Sequence, residues 1–368
     1  MTDTDRYRLA ALARCQGMGS RRLRQALEGL GSVTALWDSD VAALRDCGQL
    51  GEQLAQRVVA WRRDNESLPE KLYDDCQRCG GQLVTLLDDD YPYILKEIFD
   101  APVVLYYRGT LQPEAERIAM VGSRRFTPYG ESVAKQIGQQ LAAAGVTVVS
   151  GAARGIDSAS HRGALQAKDG RTVAVLGCGI DIAYPRENRR LLDQIAAQGA
   201  VISEYAPGTQ PLPVFFPARN RIIAGLSRGT IVVEAARRSG SLITAEMALA
   251  EGRDVFAVPG SIYSPTSAGC HYLIQQGAKL IQNADDVLSD YGRSAPPPPA
   301  RRRLNLTPEE RSVYQVLSYE HPLSMDEIVM SLPDTIEIAS LSFILLQMEM
   351  KGYIEENELH AYRRAGRE

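Results

Sequence analysis

Six short runs of β-branched and small apolar residues, each closing on glycine, proline or a polar residue, punctuate the middle of this chain. They lie at 118–122 (IAMVG), 146–151 (VTVVSG), 172–177 (TVAVLG), 200–205 (AVISEY), 230–235 (TIVVEA) and 254–260 (DVFAVPG). Nearly continuous apolar runs of this length suit strands covered on both faces, as in a parallel sheet. The segments 129–145 (YGESVAKQIGQQLAAAG) and 241–252 (SLITAEMALAEG) carry helical spacing and end on glycine, as helix C-termini do. The alternation predicts an α/β fold, a Rossmann-like, doubly wound and mostly parallel sheet within residues 80–291. The stretch 83–109 (LVTLLDDDYPYILKEIFDAPVVLYYRG) offers further strands at its edge.

At 368 residues the chain exceeds what one core usually supports. Residues 1–68 read as short helices with glycine turns before two of them, in GMGSRRLRQALEGLG from Gly17 and CGQLGEQLAQRVVAW from Cys47. That is the pattern of an N-terminal helix-hairpin-helix or SAM-like domain, whose turn amides either hold a phosphate or simply pack. Residues 292–304 are a Pro/Arg-rich linker, because four consecutive prolines favour an extended chain. Residues 305–368 open on TPEE, a capping-box pattern, continue through three helical segments and end on GYIEENELHAYRR, readable as a hairpin. This describes a winged-helix-like C-terminal domain. Asp326, Glu327, Asp334 and Glu337 around its later helices favour a protein contact over reading of a DNA groove.

The chain has 41 Lys and Arg against 45 Asp and Glu, a net charge of -4. General attraction to nucleic acid is therefore excluded, and any polyanion site has to be a local basic patch. The N-terminus lacks a basic segment followed by an apolar core, no apolar run has membrane-spanning length, and six cysteines are scattered along the chain. A cytoplasmic protein with reduced thiols is expected. Only Cys76 and Cys79 form a CxxC pair, and no second pair follows at zinc-finger spacing. No metal and no cofactor is expected.

In an open parallel sheet the ligand crevice lies beyond the carboxyl ends of the strands. Glycine and polar residues gather at those positions: Gly122, Ser123, Arg124 and Arg125; Gly151, Arg154, Gly155 and Asp157; Gly177 and Gly179; Ser203 and Glu204; Glu234, Ser239, Gly240 and Ser241. Glycine lets backbone amides approach an anion, and Ser and Arg add donors. A dinucleotide fingerprint is incomplete at both GAARG and GCGID, and no GxxxxGK[ST] occurs. The segment VFFPARNRIIAGLSRG at 214–229 sets Phe215 and Phe216 beside Arg219, Asn220, Arg221 and Arg228. Aromatic faces next to guanidiniums suit a single-stranded polymer, with base stacking worth about 1–3 kcal/mol per base. Phe215 is expected to belong to the core. Arg186, Arg189, Arg190, Arg237 and Arg238 either extend the basic track or are solvated helix surface.

SGAARGIDSASHRGAL, TVAVLGCGIDIAYPRENRRL, FPARNRIIAGLS and SGSLITAEMALAEGRDVFAVPG, in this order over about residues 95–285, resemble the DNA processing protein A (DprA, also called Smf) family. The resemblance implies single-stranded DNA binding, a homodimer formed through the Rossmann-like domain, and loading of the recombinase RecA in natural transformation and competence. A non-catalytic role is expected, and the lack of an apolar run of membrane-spanning length predicts no membrane association. The resemblance also implies that Ser123, Arg124, Gly151, Gly155, Phe216, Asn220, Arg221, Gly240 and Ser241 line the DNA pocket, with Arg219 in the same motif. The dimer surface then involves Met247, Leu273 and Ile274, which could equally be core. One departure stands at GCHYLI, where His271 replaces the asparagine of the family's G-x-N-x-L-I.

Two other readings remain open from the residues. The fold is similar to that of phosphoribohydrolases with a GGxGTxxE motif, for which RGTIVVEA at 228–235 is the nearest echo and Glu234 the would-be acid. A protein-binding adaptor with the α/β domain as scaffold is the other.

Overall fold

The computed structural model describes residues 1–294, 305–319, 321–332, 338–357 and 360–365. Residues 295–304 of the expected linker, Asp334 and Glu337 lie outside the described residues. Six helices precede the first strand: α1 Asp3–Leu12, α2 Ser20–Leu30, α3 Val33–Asp38, α4 Val41–Asp46, α5 Glu52–Asp64 and α6 Leu68–Arg78. The two glycine-led helices of the sequence are α2 and α5. Leu9, Leu12, Leu23, Leu36, Leu44 and Leu72 are fully buried in their core, each contributing about 1.5–3 kcal/mol. That core continues onto Leu83, Val104, Tyr106, Ile180 and Ala206 of the following domain, so the N-terminal helices are seated against the sheet. Helix α6 fills the interval between the two expected segments and stands on α1, with the Tyr7 and Tyr73 rings edge to face at 5.3 Å.

The next elements are β1 Gln82–Thr85, α7 Tyr93–Lys96, β2 Val104–Gly109, β3 Arg117–Val121, α8 Pro128–Ala143, β4 Thr147–Ser150, α9 Ile156–Gln166, β5 Thr172–Leu176, α10 Arg189–Gln198, β6 Ala200–Ser203, α11 Phe215–Gly225, β7 Gly229–Val232, α12 Gly240–Ala250, β8 Asp254–Ala257, α13 Ala268–Gln275, β9 Lys279–Leu280 and α14 Asp285–Leu288. The strands form one nine-stranded sheet in the order β1-β2-β6-β5-β4-β3-β7-β8-β9. All six strand patterns of the sequence are present and pair in parallel, with Ile118 of β3 beside Val148 of β4 and Gly229 of β7. The 83–109 segment supplies β1 and β2, which join antiparallel at the edge.

Alternation across the pleat explains why these strands are apolar throughout. Ile118 and Met120 face a core with Ala134, Ile137 and Leu141 of α8, while Ala119 and Val121 face one with Ile222 and Ile223 of α11 and Leu242 of α12. From β3 the order runs outward to β4, β5 and β6 on one side and to β7, β8 and β9 on the other. The connections therefore diverge between β3 and β7, which opens a crevice at their carboxyl ends.

The C-terminal part has its own core around Val313, Ile328, Leu341, Leu345 and Ile354. It is built from α15 Pro308–Val316, β10 Leu323–Ser324, α16 Met325–Ser331, α17 Ile338–Met350, β11 Ile354–Glu356 and β12 Ala361–Arg364. The strands form a small antiparallel sheet, completing a winged helix. The TPEE pattern is a capping box between Thr307 and Glu310, and Ser324 with Glu327 forms a second. Among the described residues, no helix is long and apolar enough to cross a membrane.

Candidate nucleic-acid interface

A groove of about 950 Å³ opens where β3 and β7 end, walled by the turn after β3, the first turn of α11 and the N-terminus of α12. The turn after β3 is fixed by its own polar groups. The Ser123 N–H donates to the Glu234 carbonyl at 2.7 Å, and the Ser123 hydroxyl donates to the Arg125 carbonyl at 2.6 Å. Closing the turn on itself leaves Arg124 and Arg125 exposed. The Arg124 guanidinium lies 5.7 Å over the Phe216 ring, and Phe216 leans on Tyr184 with ring centres 5.2 Å apart. Tyr184 is 41% exposed, so the two rings and the cation form an accessible platform.

Charge in the groove is one-sided. Arg124, Arg125 and Arg238 are exposed, line it and have no carboxylate partner among the described residues. The carboxylate in its lining is Asp157, which is buried and accepts from the N–H groups of Gly151 and Ala153. Burial pushes the Asp157 carboxyl above its usual range. Helix α12 points its N-terminus into the same space, capped by Ser239, whose hydroxyl accepts from the Ser241 N–H. A helix N-terminus adds partial positive charge. A Cβ at Gly240 would meet nothing within 4 Å, so what glycine supplies there is an uncovered backbone.

Below this surface a second set of residues holds the walls. Arg219 is 4% exposed and donates to the Gly151 carbonyl at 2.9 Å and to the Val175 carbonyl, tying α11 to the ends of β4 and β5. Burial lowers its pKa to about 10. A Cβ on Gly151 would press into that guanidinium. Gly155 has φ +81°, and a Cβ there would lie 2.2 Å from the Ser123 carbonyl oxygen; glycine alone lets the turns after β3 and β4 close on each other. Glu234 is also buried. Its carboxylate accepts from the Thr127 N–H at 2.9 Å, the Thr127 hydroxyl at 2.6 Å and the Thr266 hydroxyl at 3.3 Å.

Of the residues expected at the site, Ser123, Arg124, Phe216, Asn220, Gly240 and Ser241 meet in the groove, with Arg219 buried in its wall. Gly151 and Gly155 lie beneath it. Arg221 is elsewhere, on the opposite side of α11, paired with Asp100 at 2.9 Å and Glu204 at 2.7 Å. Burial works against its charge, and the two carboxylates outweigh that, holding the guanidinium above its usual value. Phe215, expected in the core, is half-buried and stacks on Tyr205 at 4.2 Å. Tyr184 was not singled out from the sequence, although it stands inside the quoted motif AYPRENRR. Arg186, Arg189 and Arg190 are exposed outside the groove lining. Of the expected dimer residues, Leu273 is 4% exposed and packs in the sheet core, while Met247 and Ile274 are half-buried over it. His271 donates from Nε2 to the Gly260 carbonyl at 3.0 Å. Cys76 is buried in the N-terminal core, and the Cys79 thiol donates to the Cys76 carbonyl.

The family model for DNA recombination-mediator protein A matches residues 82–292, the whole sheet and its helices. The chain belongs to the DNA recombination-mediator protein A family. A second model, the DprA winged helix domain, matches residues 295–357. The DNA processing protein DprA of Streptococcus pneumoniae is 53% identical over 208 residues, which are 56% of this chain and 73% of that one. Protein Smf of Escherichia coli is 46% identical over 255 residues, 68% of this chain and 66% of that one. Among solved structures, the crystal structure of S. pneumoniae DprA superposes with a TM-score of 0.69 at 41% identity, over 79% of this chain and 98% of that one. DprA from Helicobacter pylori, solved for its single-stranded DNA binding mode, gives 0.52 at 30% identity over 57% and 95%. The DprA architecture foreseen from the motifs, a Rossmann-like sheet with a helical N-terminal region and a winged helix, is the one this chain has.

Proposed function

We propose that this protein binds single-stranded DNA in the groove between β3 and β7 and loads a RecA-type recombinase onto it during natural transformation, without covalent chemistry. The observation that carries the reading is the platform of Phe216 and Tyr184 under Arg124, in a groove with one buried carboxylate and three exposed guanidiniums that have no carboxylate partner among the described residues. Stacking accepts every base, and guanidiniums pair with every phosphate. The DNA binding of the H. pylori relative supports the same assignment. Ser123, Asn220, Gly240 and Ser241 complete the contact surface. Arg219, Gly151 and Gly155 act by holding its walls.

The protein works as a cytoplasmic homodimer in this reading. Met247 and Ile274 contribute to the interface together with the exposed apolar side chains Ile243, Leu249 and Tyr272 on the same two helices. The winged helix meets a protein rather than DNA, since α16 and α17 carry no Lys or Arg and α17 exposes Phe343, Leu346 and Met350. Hydrolysis of a nucleotide by Glu234 is disfavoured because three donors already engage its carboxylate.

Titration of fluorescent oligothymidine, with duplex DNA as the comparison, tests the binding. Tight, salt-sensitive binding to the single strand and weaker binding to duplex are expected; equal affinity for both, or none for either, overturns it. Release of free base from nucleoside monophosphates would restore the enzyme reading.

A further inference from the structure

A second cleft, about 1100 Å³, opens beside the shared core, lined by residues of both the N-terminal helices and the sheet domain. Its walls are the turn before α2, the residues around Phe99 and Asp100, and the first turn of α11. Phe215 lines it, whereas Phe216 lines the β3/β7 groove. Successive Cα atoms are about 3.8 Å apart, so the two spaces share one thin wall. Val214, just before α11 at that wall, is 68% exposed.

The cleft repeats the chemistry of the groove. Arg14, Arg21 and Arg22 are exposed on its N-terminal side with no carboxylate partner among the described residues. Arg21 lies 4.2 Å over the ring of Phe99, itself 66% exposed, and Phe215 stacks on Tyr205 at the other side. The carboxylates in the lining, Asp100 and Glu204, both pair with Arg221. Four guanidiniums against two carboxylates leave the lining with an excess of two positive charges beside aromatic faces, in a chain whose overall charge is negative.

We infer that a single strand held in the groove crosses the start of α11 and continues into this cleft, where Arg14, Arg21 and Arg22 take its backbone and Phe99 offers a further stacking face. The inference rests on the groove binding single-stranded DNA. It gives the N-terminal helices a nucleic-acid role through side-chain arginines rather than through turn amides, and it makes affinity depend on strand length beyond what the groove alone can hold.

The test compares oligothymidines of about 6 and about 20 nucleotides, the shorter one within the span of a single groove, on the full chain. The doubly substituted variant Arg21→Ala with Arg22→Ala should bind the long strand about tenfold more weakly, as expected for two lost phosphate contacts, and the short strand as wild type does. Arg14→Ala is the second variant, since the Arg14 side chain makes no hydrogen bond or ion pair among the described residues and its loss spares the fold. Unchanged long-strand affinity in both variants overturns the extension while leaving the groove reading intact. Equal weakening of both lengths overturns it too, since the arginines then act on the groove or the fold. If the wild type binds neither oligonucleotide, the groove reading fails and the extension with it.

Discussion

Phe215 and Phe216 are neighbours in the chain yet stand in different clefts, the first stacked on Tyr205 at 4.2 Å and the second leaning on Tyr184 at 5.2 Å. Both belong to the first turn of α11, where successive side chains point about 100° apart. One helix start is thereby made into a partition with an aromatic on each side.

Replacing Phe216 by alanine removes a stacking face without opening a core, because the ring is half-exposed. Phe216→Ala should weaken oligothymidine binding by about 1–3 kcal/mol on any base composition. Phe216→Tyr keeps the ring and should bind as wild type. Fluorescence anisotropy on homopolymers of different bases is the check, and a loss confined to one base would speak against stacking.

Arg219 should behave as part of the fold. Its guanidinium satisfies the Gly151 and Val175 carbonyls inside the protein, so Arg219→Ala leaves buried acceptors unpaired, at a cost of about 3 kcal/mol. Urea denaturation should show the loss directly. A variant of wild-type stability that no longer binds DNA would instead make Arg219 a phosphate ligand.

His161 sets a pH limit on stability. The Thr172 hydroxyl donates to the Val148 carbonyl at 2.7 Å and so accepts from His161 Nδ1–H at 2.6 Å, which leaves Nε2 buried without a partner among the described residues. Burial lowers the His161 pKa to about 3. The unfolded chain takes up this proton below about pH 6.5 and the folded one does not, so stability falls as pH drops through that window. Between pH 7 and 5 the loss should be about 2 kcal/mol from this residue. His161→Gln should flatten that part of the stability profile. An identical profile in the variant would remove His161 as the cause.

The fold was legible because burial on both faces leaves a plain trace: the six central strands are the six apolar runs, and the capping box at Thr307 is written out as TPEE. The two-residue strand β9 was not, being too short and exposed to carry a pattern. The site was legible in part. The sequence marks which residues gather at strand ends, and Ser123, Arg124, Phe216 and Gly240 do meet there. It does not mark direction. Arg219 and Arg221 sit two apart in one motif, but two helical steps turn a side chain through about 200°, so one enters the wall and the other meets Asp100 and Glu204 across α11. Gly155 reads as a phosphate cradle, and the sequence does not mark the second demand for glycine there, the Ser123 carbonyl 2.2 Å from where its Cβ would stand.

The most direct test of the account is the salt dependence of oligothymidine binding in Arg124→Ala beside wild type. Each phosphate neutralised on a single strand adds about 0.7 to the slope of log K against log salt. The account predicts that Arg124→Ala binds more weakly and that its slope is shallower by about 0.7, with the fold intact. An affinity and slope equal to those of wild type would contradict the placement of the DNA in this groove.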